Sequence, residues 1–401
     1  MEQDRKTILR SAAELKTNAD PVLARAVESG ATAGVVAAVI TRDETLYTGA
    51  HGARALGASA AMDLDTVMFI ASMTKPITSV AAMQLVEQGK LSLDGPAAAV
   101  IPELGAFKVL QGWDTNGAPQ LRAANGQVTL RHLLTHTSGF TYEIWNADLE
   151  RFNRTQSVPS ILAGQKAALR VPLCFDPGTR WEYGIGIDWV GQLVEAASGL
   201  SLGDYFQRNI TGPLGMDSTA FKISTDMRTR LAGMHVRGPD GTLSAIPFET
   251  VQDPEFESGG AGLYSTANDY MKFMRMIFNA GRGNGNQILK PETVALMSRN
   301  AMGALRVTTL ATQNPFFSRD VEIFPGVPKT WGLGFMINES AAPTGRSAGS
   351  LAWAGLANTY FWIDPAVNIA GLAMMQALPF ADPKTLDVFH GFERSVYTSF
   401  S

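Results

Sequence analysis

Cysteine, clustered histidine and runs of basic residues are all scarce in this sequence. Of 401 residues, one is a cysteine, Cys174, and five are histidines. A single thiol excludes an internal disulfide and a cysteine-based metal cluster. Lysine and arginine number 33 against 37 aspartate and glutamate, and the formal net charge is −4, so the chain has no basic bias toward a phosphate backbone. We therefore predict that nucleic acid is not a partner.

Long apolar runs are missing as well. The longest, such as residues 33–40, are far shorter than the roughly 20 residues that cross a bilayer. The first ten residues are charged and lack the apolar segment of a secretion signal. Hydrophobic residues make up 45% of the chain and charged residues 17%, which is typical of an enzyme with a well-buried core. These features predict a cytoplasmic protein with no membrane partner.

Hydrophobic periodicity places strands near both ends of the chain. Residues 5–29 have the spacing of one or two amphipathic helices ended by Gly30, and residues 34–41 with 45–49 are typical of an antiparallel pair. The middle of the chain indicates helices and loops, including an exposed excursion at 105–127. Strand patterns return only late in the chain, and a helix follows them. These late elements are predicted at 332–338, 350–355, 358–363, 368–375 and 382–399.

The pattern therefore predicts an α+β fold in which both ends of the chain build one antiparallel sheet. We assign residues 1–71 and 329–401 to an α/β domain with this central sheet, flanked by the N- and C-terminal helices. Residues 72–328 form an inserted, mainly helical domain, and the active site is expected at the junction.

Ser72 and Lys75 are the strongest candidates for chemistry. They lie three residues apart at the start of a predicted helix, so both side chains face one side and the amine can take the serine proton. Unpaired N–H groups at the helix start can stabilise an oxyanion. Ser-x-x-Lys is a motif of β-lactamases and penicillin-binding proteins. Tyr183, just after a Pro-Gly turn, is a candidate to pass the proton between serine and leaving group.

Two other patterns are weaker. His132 and His136 have the spacing of a metal pair, but the glutamate of a His-Glu-x-x-His site is absent, which favours a structural helix. Ser347 lies in Gly-Arg-Ser-Ala-Gly, which matches the nucleophile elbow of α/β-hydrolases. That elbow needs a helix directly after the serine, whereas a strand pattern follows here, so a plain turn is favoured.

Ordered motifs over most of the chain resemble the serine β-lactamase-like superfamily, and most closely its family VIII carboxylesterases. Ser72-Met73-Thr74-Lys75 comes first, Tyr183 follows, and Trp353-Ala354-Gly355 comes near the end. The resemblance implies a β-lactamase-like fold without a metal or organic cofactor. Further stretches that support it are residues 129–139, 177–178, 213–216, 260–269 and 331–334.

The resemblance also implies roles for individual residues. Ser72 would be the acylated nucleophile, Lys75 the base and Tyr183 the proton shuttle, and the N–H groups of Ser72 and Leu356 would form the oxyanion hole. Residues assigned to the substrate pocket are Trp353, Gly355, Tyr142, Trp145 and Ile185.

Two departures from β-lactamases affect the expected substrate. Ile185 stands where those enzymes have an amide-binding asparagine, and Trp353 replaces a lysine that would pair with the carboxylate of a β-lactam. A more apolar site favours small uncharged esters. The alternatives left open are a β-lactamase or D-amino-acid peptidase, an acyltransferase and a non-catalytic binding protein. The acyl chain, the alcohol and the oligomeric state are also left open.

Overall fold

The computed structural model describes the backbone of residues 2–400 and the side chains of residues 12–400. Its α-helices are α1 (Glu2–Glu28), α2 (Thr74–Glu87), α3 (Leu130–Leu134), α4 (Ala147–Gln156), α5 (Gly186–Ser198), α6 (Leu202–Phe206), α7 (Gly212–Leu214), α8 (Thr225–Thr229), α9 (Ala267–Phe278), α10 (Pro291–Met297) and α11 (Pro383–Ser399). Its strands are β1 (Gly34–Ile40), β2 (Thr45–Gly52), β3 (Met68–Phe69), β4 (Lys108–Trp113), β5 (Pro119–Ala123), β6 (Met234–Arg237), β7 (Leu243–Ile246), β8 (Tyr264–Ser265), β9 (Arg282–Gly283), β10 (Asn286–Gln287), β11 (Lys329–Trp331), β12 (Met336–Asn338), β13 (Leu351–Gly355), β14 (Thr359–Asp364), β15 (Ile369–Met374) and β16 (Ala377–Leu378).

A seven-stranded antiparallel sheet joins the two ends of the chain. Its strand order is β11-β12-β13-β14-β15-β1-β2, so the first hairpin is added to the edge of the late strands. Val36 of β1 lies opposite Met374 of β15, and Ile40 lies opposite Ala370. Every residue of β1 is buried, because this strand lies inside the sheet and carries only small and β-branched apolar side chains. The predicted α+β fold, with its sheet built from both ends, is confirmed.

Helices α1 and α11 pack against each other beside this sheet. The amide of Asn18 donates a 2.9 Å hydrogen bond to Ser399 Oγ between them. Phe389 and Phe392 of α11 contact the ring of Trp362 on β14, each at 6.0 Å between centroids. Apolar side chains at helical spacing thus hold α11 on the sheet, as the sequence pattern predicts.

The strands differ from the sequence pattern in two places. The predicted excursion at 105–127 contains the β4–β5 hairpin, in which Val109 and Leu110 are buried and Leu110 N donates to Leu173 O at 2.8 Å. Its many glycine, asparagine and glutamine residues hid the short alternating pattern. Of the strand predicted at 332–338, only Met336–Asn338 are strand β12, and residues 332–335 form the turn between β11 and β12, where Gly334 has a φ of +110° that favours glycine.

Helix α2 forms the centre of the helical part of the chain. Its residues from Thr74 to Leu85 are all buried, and it packs against α5. A helix that is covered on every side belongs to a core rather than a surface. Among the residues that the structure describes, no helix is long and apolar enough to cross a membrane.

Candidate active site

Ser72 lies in a tight turn that leads into α2. Residues Ala71–Met73 form one 3-10 turn, and α2 continues from Thr74. Ala71 has a φ of +43°, a left-handed conformation that is uncommon for a residue with a side chain. The turn is tied to residue 263, because Ile70 N donates to Leu263 O at 3.1 Å and Leu263 N donates to Thr74 Oγ1 at 3.1 Å. The half-buried Ser72 is therefore held at the start of the helix, as its sequence position predicts.

Lys75 is fully buried next to Ser72. Its Nζ lies 3.2 Å from Ser72 Oγ, 3.1 Å from Tyr142 Oη and 2.7 Å from the carbonyl oxygen of Gly260. Burial disfavours the charged amine and lowers the pKa of Lys75 to about 7, although the charge of Asp188 acts in the opposite direction. A large neutral fraction of this amine is thus present at neutral pH, as a general base requires.

Tyr183 lies on the other side of the lysine. Lys75 Nζ is 4.5 Å from the centroid of its ring, and its phenol hydrogen-bonds with Ser72. The indole Nε1 of Trp353 donates to Tyr183 Oη at 2.9 Å. Burial raises the pKa of Tyr183 above its usual range, so the phenol carries its proton at neutral pH. The structure therefore brings together Ser72, Lys75 and Tyr183, as well as Trp353.

Asp188 and the Gly260 carbonyl were not anticipated as parts of this site. Asp188 lies in the first turn of α5 and is fully buried, and its Oδ2 accepts a 3.4 Å hydrogen bond from Tyr142 Oη. Tyr142 was expected only to wall the pocket, yet its phenol accepts a hydrogen bond from Lys75. The sequence signal for Asp188 was an acidic residue in the first turn of an apolar helix, which also has an ordinary explanation as a favourable interaction with the helix dipole.

The other residues predicted for the pocket, Trp145, Ile185 and Trp353, lie near Tyr183 but differ in burial and in their contacts. The ring of the half-buried Trp145 is 5.5 Å from the Tyr183 ring, and its Nε1 donates to Ser318 Oγ at 3.0 Å. Ile185 is 2% exposed and belongs to the hydrophobic core just before α5. Trp353 is 4% exposed, and its N–H is already bonded to Tyr183.

Gly355 and Leu356 lie at the end of β13, beside the turn that carries Ser72. A Cβ atom added to Gly355 would lie 2.2 Å from the carbonyl oxygen of Ile70, two residues before Ser72. Only a glycine allows this close approach of the two backbones. The chain segments of Ser72 and Leu356 are thus adjacent, as the predicted oxyanion hole requires.

The Ser347 segment does not have the context of a nucleophile elbow. Ser347 N donates to Asp364 Oδ2 at 2.8 Å, and Gly345 before it has a φ of +103°. The next regular element is β13, a strand, where an elbow requires a helix. This arrangement agrees with a turn.

His132 and His136 have separate roles. Helix α3 ends at Leu134, so the two side chains do not share a helical face. His132 completes a capping box with Thr129, and His136 Nδ1 accepts from Gly184 N at 3.3 Å. Within the described residues, no group of three histidine, cysteine or acidic side chains is placed to hold a metal ion.

Comparisons with known proteins show the family of this chain. Residues 19–390 match the family model described as Beta-lactamase. Monacolin J acid methylbutanoyltransferase of Aspergillus terreus is 33% identical over 95% of this chain and 97% of its own. Lovastatin esterase of Penicillium rubens is 31% identical over 95% and 98%.

Solved structures have the same fold. A LovD6 mutant of simvastatin synthase from Aspergillus terreus superposes with a TM-score of 0.83, at 30% identity over 98% of each chain. EstCE1, a hydrolase with promiscuous acyltransferase activity, shares the fold with a TM-score of 0.76 at 22% identity, over 96% of this chain and 99% of its own. The chain belongs to the β-lactamase family, in the group of its serine hydrolase and acyltransferase relatives.

Proposed function

We propose that this protein is a serine carboxylesterase that hydrolyses small esters through an acyl-enzyme on Ser72. The observation that carries the proposal is the position of Lys75, whose buried amine lies 3.2 Å from Ser72 Oγ and has a pKa lowered to about 7. A neutral amine at that distance can remove the serine proton directly.

The acylation step uses the two groups that contact Ser72. Lys75 takes the proton of Ser72 as Oγ attacks the ester carbonyl, and the N–H groups of Ser72 and Leu356 stabilise the oxyanion. Tyr183 then donates its phenolic proton to the departing alkoxide, and the ammonium of Lys75 returns a proton to the tyrosinate. The C–O bond to the alcohol breaks, and an acyl-serine ester remains.

In deacylation the same proton transfers run in reverse, and water accepts the acyl group from Ser72. A water molecule, activated by Tyr183 and Lys75, attacks the acyl carbonyl, and Ser72 leaves with a proton. The carboxylic acid is released and the site returns to its initial protonation state. The two steps together use the side chains of Ser72, Lys75 and Tyr183, two backbone N–H groups and one water molecule.

An uncharged ester suits the site better than an anionic β-lactam. Trp353 presents an indole where a β-lactamase has a lysine, and Ile185 supports the hydrophobic core in the place of an amide. Neither side chain can pair with a carboxylate. We therefore expect kcat/KM for p-nitrophenyl butyrate to exceed that for nitrocefin, and the opposite order would contradict the ester assignment.

Transfer of the acyl group to an alcohol is the second candidate activity. Its support is the similarity to an enzyme named as a methylbutanoyltransferase, which is as strong as the similarity to the lovastatin esterase. The same acyl-enzyme serves both reactions, and the acceptor decides between them. Adding a competing alcohol to an assay with p-nitrophenyl butyrate separates them, because a transferase diverts the acyl group from butyric acid to a new ester.

The decisive test of the proposed function is covalent labelling with a serine-directed phosphonate. Intact mass spectrometry should show one adduct on the wild-type protein and none on Ser72→Ala, and esterase activity should fall by at least about 1000-fold in that variant. The matched control is Ser347→Ala, which should keep both the adduct and the activity. A label that disappears in Ser347→Ala, or activity that survives in Ser72→Ala, would overturn the proposal.

A further inference from the structure

Asp188 is a buried carboxylate for which the proposed mechanism has no use. Its side chain is completely inaccessible to solvent, and burial raises its pKa. Its Oδ1 accepts hydrogen bonds from Ser258 Oγ at 2.6 Å and from Gly260 N at 3.0 Å. Its Oδ2 accepts the 3.4 Å hydrogen bond from Tyr142 Oη. Burying a carboxylate costs free energy, so a buried carboxylate with both oxygens hydrogen-bonded beside Lys75 is a candidate functional residue.

Both arms of this hydrogen-bond network end on the amine of Lys75. Asp188 binds the N–H of Gly260, and the carbonyl oxygen of that same residue accepts a 2.7 Å hydrogen bond from Lys75 Nζ. On the other side, the Tyr142 phenol donates to Asp188 and accepts from Lys75. One carboxylate thus orients the two acceptors that hold the amine 3.2 Å from Ser72 Oγ.

We propose that Asp188 is the positioning residue for Lys75, acting through the Ser258–Gly260 turn and through the phenol of Tyr142. The inference rests on the proposed function, because it takes Lys75 as the base for Ser72. Asp188 is thus a fourth side chain beside Ser72, Lys75 and Tyr183. It lies behind Lys75 and does not touch the substrate.

The packing at Gly260 supports this arrangement independently of the hydrogen bonds. A Cβ atom at this position would lie 2.4 Å from Asp188 Oδ2 and 2.9 Å from Tyr142 Oη. The carboxylate, the phenol and the backbone of the turn therefore fill the space behind the lysine, which fixes the acceptors in place.

Asp188 also sets the electrostatic surroundings of the lysine. Its negative charge favours the ammonium form and opposes the effect of burial on the pKa of Lys75. His136 stays neutral, because burial and the nearby lysine hold its pKa well below the usual value. The titratable side chains around Lys75 and behind its partners are Tyr142, Tyr183, His136, Asp188 and Glu143.

Asp188→Asn tests the inference, because the amide keeps the shape and an acceptor oxygen but removes the charge. The loss of that charge lowers the pKa of Lys75, so the acidic limb of the pH profile of kcat/KM should move to lower pH by about one unit. Asp364→Asn is the matched control. This variant removes another fully buried carboxylate, which accepts hydrogen bonds from Ser347 N and Tyr397 Oη. The acidic limb of its pH profile of kcat/KM should coincide with that of the wild type.

The outcomes separate this inference from the proposed function. If Lys75→Ala abolishes the activity but Asp188→Asn leaves the acidic limb in place, the role of Asp188 is wrong and the mechanism stands. If Lys75→Ala retains the activity, the mechanism itself is wrong.

Ser258→Ala is a second variant that keeps the inference testable if Asp188→Asn does not fold. It removes the 2.6 Å bond to the carboxylate, so the turn is held less firmly. We expect kcat to fall several-fold with little change in KM. An unchanged kcat in Ser258→Ala would overturn the inference.

Discussion

At the scale of single residues, the indole of Trp353 makes a hydrogen bond that the sequence did not predict. By resemblance Trp353 is expected to contact the substrate, and in the structure its N–H is donated to the phenol oxygen of Tyr183. Because that oxygen already accepts from the indole, the phenolic proton is free to point toward Ser72. The tryptophan that replaces the lysine of β-lactamases thus still supplies a hydrogen-bond donor to the site.

Trp353→Phe keeps an aromatic ring on the strand and removes the donor. We expect kcat/KM for p-nitrophenyl butyrate to fall on the order of tenfold, the equivalent of about one buried hydrogen bond. Trp331→Phe is the control, since the Trp331 ring lies 4.5 Å from that of Trp353, but its buried indole nitrogen has no hydrogen-bond partner in the part of the chain that the structure describes. An equal loss of kcat/KM in the two variants would contradict a role for the hydrogen bond from Trp353 to Tyr183.

The sequence could predict the pair Ser72 and Lys75 but not the residues behind it. The two are three positions apart, in the 3-10 turn and in the first turn of α2 that continues it, so their contact is local and follows from helical spacing. Asp188 contacts Ser258 and Gly260 only because a distant loop folds over α5, and no periodicity in the sequence encodes that contact. The role of a single aspartate or tyrosine depends on its tertiary contacts, which the sequence does not show.

At the scale of secondary structure elements, the end of β13 and the turn before α2 form one unit. Gly355 lies against the backbone of Ile70, and Thr359 Oγ1 on β14 donates a 3.4 Å hydrogen bond to Ile70 O. The sheet therefore holds the turn that presents Ser72. This contact places the end of β13 and the start of β14 beside Ser72.

Gly355→Ala should separate these two elements. The added methyl group meets a backbone oxygen that cannot rotate away, so we expect a loss of about 1–3 kcal/mol in the free energy of unfolding. We also expect a fall in kcat on the order of tenfold, because the chain segments of Ser72 and Leu356 shift relative to each other. Urea denaturation and steady-state kinetics measure the two effects.

Gly105→Ala is the control for this substitution. Its new methyl group meets only the side chain of Ala98, at 3.1 Å, in a 3-10 turn that is far along the chain from both elements. Activity should be unchanged. A Gly355→Ala variant that is as active as Gly105→Ala would show that the close approach has no influence on the site.

Helix ends were predictable from the sequence because caps are local signals. Thr129 does cap α3, and Gly199 ends α5 in the left-handed conformation. Short strands were harder to predict, since β4 and β5 gain their stability from each other and from Leu173 rather than from an apolar pattern of their own.

At the scale of the whole molecule, a buried ion pair joins the last helix to the loop before β13. Arg346 Nε donates to Glu393 Oε1 at 2.6 Å, and the two side chains are 1% and 0% exposed. The guanidinium also lies over the rings of Phe324 and Trp362. The arginine of the Gly-Arg-Ser-Ala-Gly motif is thus a structural residue that anchors α11.

Glu393→Gln should destabilise the fold without affecting the chemistry. It leaves the guanidinium of Arg346 buried without its counter-charge, which costs about 3–5 kcal/mol in the free energy of unfolding. Urea denaturation measures this loss, and kcat of the folded enzyme should match the wild type. Asp253→Asn is the control, because it breaks the exposed pair with Lys222 and should leave the urea midpoint in place. A similar midpoint for both variants would contradict the prediction.

The position of β1 inside the sheet has a consequence for synthesis of the protein on the ribosome. This strand is made long before its neighbour β15. Until then one edge of the nascent hairpin is unpaired, and the strand that flanks Ser72 has not yet been made. Hydrolytic activity should therefore arise only after β13 to β15 have left the exit tunnel, and ribosome-bound chains that stop before β13 should not react with a phosphonate.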